Sequence, residues 1–192
     1  MHGPALAGWL LVALCAATGA YCLLRMRSPV VEQRSAAGGE ALMGFGMAAM
    51  AVPAAVFGPP RWAWLVFGLV FGAAAVRALW AARTDAHHLH HLVGSLAMVY
   101  MAVAMAAAPA GGSAHSGHGG PSGVPLITGL LLLYFAGYVL RAGVRLVPVP
   151  APAGAGPAPR PGLALSWGDR AELALACRLS MGIAMFAMLL TM

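Results

Sequence analysis

From Ala86 to Leu140 the chain carries not one Asp, Glu, Lys or Arg. Soluble globular domains are about 25% charged, whereas this chain is 8% charged and 61% hydrophobic. A surface so poor in charge suits hydrocarbon better than water. An ordinary soluble enzyme and a disordered tail are both excluded, and a lipid bilayer is the expected surrounding.

A helix crosses about 30 Å of hydrocarbon with about 20 mostly apolar residues. Segments of that kind lie at residues 4–24, 41–58, 62–82, 89–108, 124–147 and 169–192. The uncharged run contributes two of them, because the Gly-, Ser-, Pro- and His-rich stretch from Pro109 to Pro125 divides it. The sixth segment confines Glu172 and Arg178 to its first half. The expectation is an all-α, polytopic integral membrane bundle of six transmembrane helices, forming one domain over residues 1–192. Residues 149–162, rich in Pro, Ala and Gly, read as a linker without a core of its own. The first segment lacks a basic leader and its positive charges follow it, as in an uncleaved helix rather than a signal peptide.

The formal charge of +6 invites an anionic partner, but every basic residue is Arg and they are scattered singly. No run tracks phosphates, so nucleic acid is not an expected partner. The Arg residues instead report orientation. Arg25, Arg27 and Arg34 flank the first connection, Arg77 and Arg83 the third, and Arg141, Arg145, Arg160, Arg170 and Arg178 the fifth. Only Arg61 stands on the other side. Connections one, three and five are then cytoplasmic, together with the linker and all five acids, and both termini face outward. A multi-pass protein of the cell membrane follows.

Chemistry must come from residues unusual for lipid-facing helices. Apart from Met1 and Met26, every Met lies on segments two, four and six, which share one direction. Segment two reads Met43-Gly44-Phe45-Gly46-Met47-Ala48-Ala49-Met50, and segment six repeats the pattern through Met181, Met185 and Met188, with Met192 beyond. Spacings of i, i+4 and i+7 lie on one helical face. In segment four, His91, Gly94, Met98, Met101 and Met105 fall within about 40° of His87, and His90 within about 60°. Leu89, Leu92, Leu96, Val99 and Val103 occupy the face suited to lipid. Met fills gaps in cores, and the glycines beside it suit close helix approach. Thioethers are also soft ligands that select Cu(I).

The run His87-His88-Leu89-His90-His91 offers imidazoles at i,i+3 and i,i+4 spacing that converge on one ion, with Asp85 beside them to orient a ring or bind. Its bland reading is an interfacial cluster solvated by headgroups. A pH sensor is a further reading of the same residues. Glu40 precedes Met43 as a polar head to that stripe. His115 and His118 lie in the Gly-rich external connection, as an ordinary exposed loop or a transient metal-capture pair. Cys15 and Cys22 share a face of segment one, and Cys177 lies near the cytoplasmic end of segment six; packing decides whether Cys22 and Cys177 approach the His cluster. Arg77 and Arg178 either snorkel to the interface or fix helix register as Arg77–Asp85 or Arg178–Glu40 pairs.

The HHLHH opening of segment four and the MGxxMxxM repeat, set in six short segments, resemble an actinobacterial family of small polytopic membrane proteins grouped as a domain of unknown function. That resemblance covers almost the whole chain and implies a membrane bundle without implying an activity. No HExxH, GxSxG, Walker A or CxxCH motif occurs. The leading expectation is a membrane protein that binds or translocates copper, with ligands among Met43, Met47, Met50, Met98, Met101, Met105, Met181, Met185 and Met188, and among His87, His90, His91 and Glu40. The alternatives are a membrane metalloenzyme, with zinc or iron held by His, Glu40 and Asp85 at the cytoplasmic boundary, and a structural or regulatory subunit. Expected partners are the bilayer and either a second copy or another membrane protein.

Overall fold

A computed structural model describes residues 3–27, 31–53, 56, 58–83, 89–107, 123–146 and 171–191. Their regular structure is entirely helical: α1 (Gly3–Arg25), α2 (Val31–Met50), α3 (Arg61–Ala82), α4 (Leu89–Ala107), α5 (Pro125–Leu146) and α6 (Ala171–Leu190). Five helices contain stretches long and apolar enough to cross a membrane, namely Leu6–Arg25, Arg61–Ala82, Leu89–Ala107, Pro125–Val144 and Leu173–Leu190. Asp85, His87, His88, His115, His118, Met192 and the linker at 149–162 lie outside the described residues.

The second apolar segment was expected at 41–58, and the helix that forms is displaced from it. α2 starts at Val31 and stops at Met50. Its last helical hydrogen bond runs from the Ala51 amide to the Met47 carbonyl at 2.9 Å. Pro53, Pro59 and Pro60 follow, and proline offers no amide to continue a helix. At the other end the polar stretch from Glu32 to Glu40 is absorbed into the helix. Apolarity alone therefore misplaces this element by about half its length.

The helices pack as three sequential hairpins, α1 with α2, α3 with α4 and α5 with α6. α2 also reaches α4 and α6, and α1 reaches α6. Enclosure by its neighbours explains how α2 tolerates Glu40, Gly44 and Gly46, which are all buried. The outer faces show the reverse chemistry. Leu10, Leu69, Leu126, Leu133 and Val144 stand out exposed, an apolar exterior matched to hydrocarbon rather than water.

Close approach depends on glycine at two crossings. A side chain on Gly44 would meet the Gly19 Cα at 2.9 Å and the Cys15 carbonyl at 3.1 Å, so α1 and α2 touch backbone to backbone. Between α2 and α4 the fit is reciprocal. Gly94 forms a notch for Met43, whose methyl lies 2.6 Å from where a Cβ would stand, and Gly46 receives Phe71 and the Met98 methyl. Small residues that admit neighbouring helices are the usual device of membrane packing, where no hydrophobic force separates lipid from protein.

Gly44→Ala is expected to lower stability, because the three nearest atoms it would meet all belong to backbone. Gly137→Ala on α5 meets nothing within 4 Å and should be neutral or gain up to about 1 kcal/mol from helix propensity. Thermal unfolding in detergent micelles compares the two. Equal behaviour would contradict the close α1–α2 crossing.

Candidate functional site: an ion triad at the head of a methionine core

Glu40 sits in the middle of α2 and is almost completely buried, at 1% exposure. Arg25, the last residue of α1, donates from Nη1 to its Oε2 at 2.7 Å, and Arg178 of α6 donates from Nε to its Oε1 at 2.7 Å. The Cys22 thiol donates to Oε2 at 3.6 Å. One carboxylate thus ties together three helices, and both of its oxygens are held by guanidinium groups. Of the two register pairs expected, Arg178–Glu40 is formed; Arg77–Asp85 involves a residue outside those described.

Arg25 was not anticipated as a partner. The signal was present: it lies three residues after Cys22, on the same side of the helix. Its side chain is 6% exposed, against 24% for Arg178. The cluster carries two positive charges and one negative charge. Arg25 Nε has no hydrogen-bond partner among the described residues.

One helical turn from Glu40 begins the sulfur-rich interior. Met43, Met47, Met98, Met101, Met181, Met185 and Met188 are all buried in one contiguous cluster, joined by Phe71 and Phe135. The contacts of Met43 with Gly94 and of Met98 with Gly46 set the register of α4 on α2, and the Arg178–Glu40 pair sets that of α6. Met47 and Met185 each stand seven residues beyond the Glu40–Arg178 pair and Met98 seats on Gly46 beside Met47, with Met50, Met101 and Met188 three residues further along their helices. Met50 is partly buried against the cluster.

Met105 departs from the expected stripe, being 41% exposed. The same register sets it beyond Met50, the last residue of α2.

The two described histidines take different neighbours. His90 stacks on Tyr138 of α5 with ring centroids 3.7 Å apart and planes 6° from parallel, and its Nδ1 lies 3.2 Å from the Tyr134 hydroxyl. Tyr134 and Tyr138 were overlooked as candidates, although their i,i+4 spacing on an aliphatic helix marks one face. His91 turns towards α2, its Nδ1 3.8 Å from the Cβ position of Gly39. It lines a cleft of about 760 Å³ between α2, α3 and α4, together with Arg34, Arg77, Ser95 and Met43. Among the described residues no group of three or more His, Cys, Asp or Glu is placed to hold a metal ion.

An apolar exterior and five helices of membrane-spanning length and apolarity define a multi-pass α-helical membrane protein. Residues 32–192 match the family model described as a domain of unknown function, DUF5134, and the chain belongs to that family. No curated protein and no solved structure matches it.

Removing one member of a buried ion pair strands the other, at a cost of about 3–5 kcal/mol. Glu40→Gln strands two guanidinium groups and is expected to destabilise the bundle by at least that range. Arg25→Gln should cost more than Arg178→Gln, because Arg178 keeps access to solvent or headgroups. Unfolding of the three variants in mixed micelles gives the ranking, and the opposite order would show that the triad does not carry this load.

Proposed function

We propose that the protein is a soft-metal-handling protein of the cell membrane that binds Cu(I) in its methionine core and passes it between thioether levels. The observation that carries this reading is the burial of Met47, Met98 and Met185, from three different helices, in one cluster shielded from lipid. Thioether sulfur selects Cu(I) over harder ions. Successive levels are one helical turn apart, about 5.4 Å, a short step for a ligand-exchanging ion. The cleft holding His91 also reaches Met43, which supports an approach from an imidazole-bearing boundary into the sulfur core.

The topology that suits this function has all six helices crossing the bilayer. α2 is 20 residues long, about 30 Å at 1.5 Å per residue, and its sheltered position accounts for its polarity. The Arg distribution supports cytoplasmic connections one, three and five. The Glu40 triad and His91 then lie towards the cytoplasm, with both termini outside.

A second reading has one specific observation in its favour. The seating of Met43 against Gly94 and of Met98 against Gly46 is also what a purely structural or regulatory subunit would use to pack its helices. Met and Leu have similar volumes, and exchanging them costs under about 1.5 kcal/mol per site, so substitution separates the readings.

Full-length protein in lipid nanodiscs is expected to take up Cu(I) or Ag(I) under anaerobic titration. The M47L/M98L/M185L variant should stay folded and bind at least about tenfold more weakly. Wild-type protein that takes up neither ion, or a folded triple variant that binds as well as wild type, would overturn the copper reading. The second result would favour packing. Zinc or iron retained on purification, with no effect of the Met changes, would point instead to the boundary metalloenzyme.

A further inference from the structure

We propose that the cleft between α2, α3 and α4 binds an anionic phospholipid, with its phosphate held between Arg34 and Arg77. The site goes beyond the soft-metal reading and stands whether or not the core takes up copper.

The cleft has a volume of about 760 Å³, within the range of about 300–1,000 Å³ usual for small-ligand sites. Arg34 lines it from the first turn of α2 and Arg77 from the last third of α3. Neither is paired with a carboxylate among the described residues. Guanidinium groups are permanently charged and planar, with paired N–H donors that match phosphate oxygens. Two of them at one cleft make an anion site.

Ser95 supplies a second, independent observation. It is 4% exposed, it lines the same cleft, and its hydroxyl has no hydrogen-bond partner among the described residues. A buried hydroxyl left unpaired is unfavourable, and a ligand oxygen would satisfy it. Ser95 adjoins Gly94, whose notch holds Met43. Met43 stands nine residues after Arg34, about 13 Å along α2. The polar groups are thus strung out along the cleft and not gathered round one point. An extended amphiphile fits them, with its phosphate at the arginines and a glycerol ester carbonyl accepting from Ser95. A compact inorganic anion would reach one end only.

The walls identify the source. Leu42 and Val70 line the cleft and are also 39% and 44% exposed, so its apolar wall continues into the exterior that faces hydrocarbon. A lipid entering sideways leaves its acyl chains along that surface. A water-soluble phosphate ester has nothing to set against it. Basic pockets between membrane helices recognise anionic headgroups in this way. A seated phosphate also cancels the repulsion that Arg34 and Arg77 oppose to a cation passing His91, so the lipid is compatible with the metal approach.

The test uses full-length protein freed of lipid by detergent exchange. It is titrated with dioleoylphosphatidylglycerol, dioleoylphosphatidylcholine or glycerol phosphate, and bound species are counted by native mass spectrometry. Wild type is expected to hold one phosphatidylglycerol, at least about tenfold more tightly than phosphatidylcholine, and to keep it in equimolar glycerol phosphate. R34Q/R77Q should lose the preference, and S95A should weaken binding about threefold to tenfold. R83Q, whose guanidinium lies over Trp80, should behave as wild type. In the wild-type protein, phosphatidylglycerol with a photoreactive acyl chain should label peptides containing Leu42 and Val70. Unlabelled phosphatidylglycerol, but not phosphatidylcholine, should suppress that labelling. This measurement needs no variant and survives misfolding of R34Q/R77Q. Equal binding of the two lipids, a preference unchanged in folded R34Q/R77Q, or labelling confined to α5 and α6 overturns the site. Displacement by equimolar glycerol phosphate overturns the lipid and assigns the cleft to a soluble phosphate ester. None of these results bears on copper uptake, so the two readings fail separately.

Discussion

A carboxylate sealed inside an apolar bundle must be neutralised where it stands, and Glu40 is neutralised by guanidinium groups from the first and last helices. In hydrocarbon the alternative is an isolated charge costing several kcal/mol, so few other arrangements of α1, α2 and α6 are available. The depth of Glu40 sets how far α6 slides along α2. The methionine levels inherit their alignment from that register.

The second constraint is how near the backbones come. Gly44 against Gly19 closes the α1–α2 hairpin, and the exchange of Met43 into Gly94 and Met98 into Gly46 locks α4 onto α2. These contacts give the thioethers their shared interior. They also explain why one set of residues supports both a packing and a ligand reading: a flexible, polarizable side chain that fills a glycine notch presents its sulfur to the same interior. What distinguishes the protein from a generic bundle is that sulfur chemistry and the buried acid Glu40 occupy neighbouring turns of α2.

Much of this was legible in the sequence. The membrane class, the helical content and the interior face of Met47, Met98 and Met185 follow from composition and from the 3.6-residue period. The Arg178–Glu40 pair was one of two candidates, since each stands three residues before a Met stripe. Three features were not legible. α2 was misplaced because hydropathy identifies lipid-facing surface, and this helix is sheltered by protein. Arg25 was read as an orientation signal at a helix end, although its side chain turns inward. Met105 fits the stripe by angle but lies past the end of its neighbour, which no single-helix projection can report.

The sequence by itself determined that the chain dissolves in lipid, that it is helical, and which face of each Met-bearing helix turns inward, because these depend on local apolarity and helical period. Only the tertiary structure decided which helices meet, that Glu40 has two cationic partners, that His90 pairs with Tyr138 while His91 faces α2, and that the Cys22 thiol reaches Glu40. Those facts depend on the relative slide and crossing of helices far apart in the chain. Slide and crossing are fixed by glycine contacts and one buried ion cluster, whose partners lie on different helices and carry no shared local pattern.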